Sequence, residues 1–123
     1  MAYMLFMAER LVTVAETPVF IRQAAEVWTD AEREEFVLYI AGNPGTGDVI
    51  PDTGGVRKVR WRRAGTGKRG GVRVIYFYHD AELPLYLLMV YAKGAQDDLD
   101  PDEKKAVRDL AIQLKAKRRK AQR

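Results

Sequence analysis

The chain has 123 residues, 47% of them hydrophobic and 31% charged, which is enough for one ordinary globular domain and too little for two cores. It has no cysteine and one histidine, which excludes disulfides and thiolate metal sites, argues against a zinc centre and suits a reducing cytoplasm. The net charge of +4 hides a segregation: residues 1–55 carry nine acids and three bases, residues 56–94 two acids and nine bases, and residues 95–123 six acids and nine bases.

Residues 1–10, MAYMLFMAER, hold an apolar run that Arg10 ends early. It is too short for a membrane span and lacks the leading base of a signal peptide, so it is expected to be a tail before a single domain. RLVTVAE alternates Leu11, Thr13 and Ala15 against Val12, Val14 and Glu16, the pattern of a first strand. Thr17 then reads as an N-cap with Pro18 at the first helical position. Phe20, Ile21, Ala24, Val27 and Trp28 continue a helical stripe. Thr29 with Glu32 predicts a capping box for a second helix, whose Phe36, Val37, Ile40 and Ala41 share a face. The run GNPG stops it.

A glycine-rich loop over residues 42–55 leads to a strand at about 56–63. There Val59 and Trp61 point one way and Lys58, Arg60 and Arg62 the other. AGTGKRGG then leads to VRVIYFYHD, and DAELP turns into LYLLMVYAK. These two strands are apolar on both faces, as strands covered on each side are. Asp100, Pro101 and Glu103 cap a last helix with a buried stripe of Val107, Leu110, Ala111 and Leu114, and residues 115–123 form a basic, fraying end. The order strand-helix-helix-strand-strand-strand-helix predicts an α+β domain with a mostly antiparallel sheet.

Two nucleotide-binding signatures fail on inspection. Gly65, Gly67 and Gly70 fit G-x-G-x-x-G but open a strand, so no helix N-terminus awaits a pyrophosphate. GTGKRG has Arg62 where a P-loop needs its first glycine and Arg69 where it needs Ser or Thr. His79, ending a strand beside Asp80, reads as a surface turn residue, Trp61 as core, and Tyr76, Tyr78, Tyr86 and Tyr91 as ordinary strand residues, of which one near the basic face could stack a base or share a proton.

The basic strand remains. Lys58, Arg60 and Arg62 at period two form a row of cations on one side of the sheet, which suits a phosphate backbone better than a core. Arg73 lies on the next strand and Lys93 ends the last one. The hairpin loop does not fix the register, so alternation leaves Arg73's face open.

Taken together, GTGDVIPDTGGVRKVRW, GKRGGVRVIYFY and YLLMVYAKG resemble the RelE/HigB-like toxins of bacterial toxin–antitoxin pairs, in particular the HigB-type branch, over about residues 11–114. The resemblance implies a RelE-like fold and a metal-independent, cofactor-free endoribonuclease that acts on messenger in the ribosomal decoding site. It implies cutting by attack of the 2′-hydroxyl on the adjacent phosphate, leaving a 2′,3′-cyclic phosphate. Lys58 and Arg60 are similar to the family's alternating basic pair, Arg73 to its strand arginine, and Lys93 to the base closing the last strand. Fixed cations aimed at developing charge are worth about 3–4 kcal/mol for one well-placed donor. The family's late tyrosine has no counterpart after Lys93. Tyr91 is the nearest substitute as general base, with a Lys58 of lowered pKa as the other option.

Arg57, Arg62, Arg63, Lys68 and Arg69 are expected to contact RNA and ribosome, with the glycine-rich flanks letting backbone approach phosphates. The implied partners are the ribosome, its messenger and a cognate HigA-like antitoxin with a helix-turn-helix part. Operator DNA is then reached only through the antitoxin, and no membrane is involved. Three rivals stand beside this reading: a ParE-like toxin acting on DNA gyrase without nuclease chemistry, a non-catalytic nucleic-acid-binding module, and a degenerate toxin whose remaining role is to hold its antitoxin in a repressor complex.

Overall fold

The computed structural model describes residues 11–63, 71–96 and 98–121, with side chains through Arg119. Thr17 caps the first helix through a hydrogen bond from Phe20 N–H to its hydroxyl (3.2 Å), and Pro18 opens that helix as the sequence predicts. The Thr29–Glu32 capping box forms in both directions, at 2.9 and 3.2 Å, and starts the second. The elements run β1 (Val14–Glu16), α1 (Pro18–Val27), α2 (Asp30–Gly42), β2 (Asp48–Val49), β3 (Val56–Trp61), β4 (Val72–Phe77), β5 (Leu85–Ala92) and α3 (Pro101–Ala121). This is the expected α+β order with one short strand, β2, added before the meander.

The sheet order is β1-β5-β4-β3-β2, with β1 parallel to β5 and every other pair antiparallel. The first strand is shorter than its alternation suggests because Val12 N–H turns to the C-terminal carbonyl of Ala41 on α2, at 3.0 Å. The backbone of β5 beyond β1 is completed by α1 instead: Thr17 donates to Leu87 C=O and Gln23 accepts from Val90 N–H. That satisfies groups a longer edge strand would have paired.

Each face of the sheet carries its own core, which is why β4 is buried along its whole length. On one face Phe20, Ala24, Trp28, Phe36 and Ile40 from the helical hairpin pack on Val72, Val74, Tyr76, Leu85 and Leu87. Ile21, expected in that stripe, is 49% exposed, since the buried positions follow Phe20, Ala24 and Trp28 at strict four-residue spacing. On the other face Val107, Ala111 and Leu114 of α3 cover Val56, Ile75, Phe77 and Leu88. Asp100 and Glu103 cap α3 reciprocally, at 3.0 and 2.8 Å.

One expectation needs correction. Far from fraying after Leu114, α3 is helical to Ala121 and its basic end is docked. Lys115 Nζ donates to Gly54 C=O at 2.8 Å, and Arg118 pairs with Asp80 at 3.2 Å and Glu82 at 2.7 Å. The glycines of DTGG build a tight turn, whatever else they contact. Asp52, Gly54 and Gly55 all have positive φ, and the buried Thr53 hydroxyl donates to Ile50 C=O and accepts from Val56 N–H.

Candidate active face

The β3–β4 and β4–β5 registers settle what alternation left open. Arg60 is the Cα partner of Arg73, and Arg73 is the partner of Tyr91, so the three residues form one row across three strands. Neighbouring strands lie about 4.8 Å apart, so the outer two residues stand roughly 10 Å apart, and side chains this long can converge on one group between them. Lys58 pairs with Ile75 on the same face, one step toward the α3 core. Lys93 closes the set, its N–H donating to Gly71 C=O at 3.2 Å just beyond the Arg73–Tyr91 pair.

A β-bulge puts Tyr91 there. Ile75 pairs with Met89 and Tyr76 with Leu87, which leaves Leu88 as the extra residue and reverses the facing of everything after it. Without that residue, Tyr91 would continue the face of Leu85 and Leu87, into the helical-hairpin core.

Arg73 is only 7% exposed, and its Nη1 donates to Val72 C=O at 3.4 Å. Arg60, directly opposite, is exposed. Sinking one guanidinium into a sheet and setting another across from it opposes stability twice, by desolvation and by like-charge repulsion. Such local violations concentrate where function requires them.

Lys58 is engaged by acids. It faces Asp48 across the β2–β3 ladder, and its Nζ donates to Asp98 Oδ1 at 3.1 Å. That hydrogen bond, with the charge behind it, holds the Asp98 carboxyl below its ordinary value. Lys58 Nζ is therefore a hydrogen-bond donor to a carboxylate here. Asp98 is the residue sequence reasoning missed. It sits in the acidic run DDLD, which reads only as the approach to a helix cap, and no local pattern announces a contact across 40 residues.

The remaining basic candidates do not join the row. Arg57 lies on the opposite face, donating to Gly45 C=O at 3.3 Å and to Gly47 C=O at 2.6 Å. Arg62 follows the end of β3 and turns away from Lys58 and Arg60, correcting the three-residue row. Its guanidinium pairs with Glu35 of α2 and lies 5.0 Å from the Trp61 ring centre. Arg63 lines the shallow pocket beside Trp61 and Glu35. Lys68 and Arg69 lie outside the described residues. Trp61 packs against Phe36 and Tyr39, as a core residue should. His79 stacks on Phe77 near Asp80, on the strand end remote from Arg73. Among the described residues no group of three or more His, Asp or Glu side chains could hold a metal ion, and no helix is long and apolar enough to cross a membrane.

Known proteins agree with this architecture. A solved structure of the E. coli toxin RelE, a double arginine-to-alanine form in the free state, is similar over 71% of this chain and 88% of its own, with a TM-score of 0.51 and 12% identity. At that identity the likeness establishes the fold. The sequence itself matches the family model described as the RelE toxin of the RelE/RelB toxin–antitoxin system over residues 44–122, from before β2 through the end of α3. With more than half its length covered by that match and the fold in agreement, the chain belongs to the RelE family of toxins, and a cognate antitoxin is its implied partner.

Proposed function

We propose that this toxin is a ribosome-dependent messenger endoribonuclease whose reaction takes place on the Arg60–Arg73–Tyr91 row. The 2′-hydroxyl of one nucleotide attacks its own 3′-phosphate. The P–O5′ bond breaks, the 2′ proton leaves to a base, and the departing O5′ takes up a proton. The products are a 2′,3′-cyclic phosphate and a 5′-hydroxyl. Arg73 and Arg60 stabilise the extra negative charge of the five-coordinate phosphorus, with Lys58 and Lys93 holding the flanking backbone. Tyr91, the register partner of Arg73 and 6% exposed, is the side chain we assign to take the 2′ proton once RNA opens its hydroxyl to the row.

The observation that carries this reading is the buried Arg73 between Arg60 and Tyr91, a cation placed at a cost to the fold. The chain lacks the histidine pair of free-standing ribonucleases, so the decoding site must hold the RNA in its reactive bend. The G-D-x-I and G-K-R-G-G motifs support the HigB-type branch and hence a helix-turn-helix antitoxin. A reducing cytoplasm, where ribosomes work, fits the absence of cysteine. The test is a translation reaction with purified ribosomes and a reporter messenger, followed by mapping of the cut ends. Cuts in the decoding site ending in 2′,3′-cyclic phosphate are expected. Intact messenger, or efficient cutting of naked RNA, overturns the reading.

A further inference from the structure

We propose that the Asp98 carboxylate occupies the position of an RNA phosphate on Lys58, and that a phosphodiester binds there by displacing it. The inference rests on the RNA-cleaving reading and adds to it a phosphate subsite with a built-in competitor. To an ammonium, a carboxylate and a phosphodiester offer the same thing: anionic oxygens that accept a charge-assisted hydrogen bond. Lys58 lies two residues from Arg60, about 7 Å along β3, so one RNA strand can meet the two cations in turn. From Lys58 a groove of about 440 Å³ runs between β2 and the start of α3, with Lys104 further along it.

Asp98 is held over this position by its backbone as well as by the ion pair. The Gln96 side-chain amide donates to Asp98 C=O at 2.9 Å and to Glu103 Oε1 at 3.1 Å. Glu103 is itself fixed in the α3 cap, and Leu99 packs against the α3 core. The carboxylate is nevertheless the solvent-side member of the pair, 71% exposed against 30% for Lys58. It can swing away without opening the core, and an exposed pair is a weak brake. The arrangement keeps Lys58 neutralised and ordered until a polyanion arrives, whose binding also releases counterions.

The test uses the full chain and a short single-stranded RNA carrying 2′-O-methyl groups, which binds but cannot be cut. Asp98→Asn is expected to tighten binding at low salt by about two- to fivefold, the scale of an exposed ion pair. The gain should vanish in a Lys58→Met background, and Asp102→Asn, which removes an exposed acid at the start of α3, should give less. An equal gain from Asp102→Asn, or one that survives in Lys58→Met, overturns the proposal. So does failure of both the parent chain and Asp98→Asn to bind the RNA. The cycle behaving as expected, with no messenger cut on ribosomes by any of these proteins, supports the subsite and overturns the nuclease reading.

Discussion

Arg60 of β3 and Arg73 of β4 stand directly opposite each other across an antiparallel ladder, one exposed and one 7% exposed. Replacing a buried charge by an apolar side chain of similar reach is often neutral or stabilising. Arg73→Met should therefore unfold at the same denaturant concentration as the parent or a higher one. Its single-turnover cleavage on saturated ribosomes should fall by about a hundredfold or more, the scale of a lost transition-state donor. A variant that keeps both fold and activity removes Arg73 from the chemistry.

Position should matter more than charge. Lys117 and Arg119 are exposed on α3, whereas Lys115 and Arg118 are docked. Changing Lys117 and Arg119 to glutamine should leave single-turnover cleavage within about tenfold, roughly 1.4 kcal/mol of barrier. Arg118→Gln should instead lower the thermal midpoint, because it releases Asp80 and Glu82 from the helix end. Comparable losses of cleavage from the Lys117/Arg119 pair and from Arg73→Met would favour a general polyanion binder.

Two carboxyls should report their partners by titration. Lys58 holds Asp98 low. For Asp80, partial desolvation pushes upward, but the Glu82 N–H and Arg118 outweigh it and the net shift is downward. A depressed folded-state value means that the stabilisation is present above the ordinary aspartate value of 3.8 and is lost as pH falls through the folded-state value. Carbon-detected NMR should place both midpoints below 3.8. Lys58→Met should raise that of Asp98 alone, and Arg118→Gln that of Asp80 alone.

The glycine–tyrosine clasp behind the sheet offers a stability control. The buried Tyr76 hydroxyl donates to Pro44 C=O at 2.9 Å and accepts from Gly47 N–H at 2.8 Å. Tyr76→Phe strands both groups and should cost about 1–3 kcal/mol in chemical denaturation. Cleavage by the folded fraction should be unchanged, because Tyr76 faces the helical hairpin. A loss of cleavage beyond the loss of folded protein would mean that this loop also positions the active row.

Gly71 links fold and site more tightly. Its φ is +87°, and a Cβ there would lie 2.5 Å from Trp61 C=O. Gly71→Ala should destabilise by about 1–3 kcal/mol or more. It should also weaken cleavage beyond the loss of folded protein, because the backbone that must shift leads two residues later to Arg73. Retained activity per folded molecule would show that the row tolerates this displacement.

The helix caps, the two-sided burial of β4 and β5 and the position of the last helix were legible in the sequence, because each depends on neighbours within one turn or one strand. Thr17, Thr29 and Asp100 announce their helices by chemistry that acts over three residues. The basic strand was legible as charge, and Lys58 and Arg60 at period two as one face. What joins those charges into a site was not. Arg73 reaches their side through the β3–β4 register, and Tyr91 through one extra residue, Leu88, in β5. The alternation of a strand says which residues share a face but not which face, and a single bulge reverses the answer. Arg62 left the row because β3 ends one residue earlier, where Glu35 and the Trp61 ring offer its guanidinium a better place than open sheet. Asp98 came to Lys58 only through the path of a loop fixed by Gln96 and the α3 cap. The sequence alone determined a basic α+β domain with its last two strands covered on both faces, since those features rest on local chemistry and composition, and its motif runs carried the resemblance to the toxins. Tertiary structure decided which cations meet, because that depends on strand register and loop path, which only the packed whole fixes.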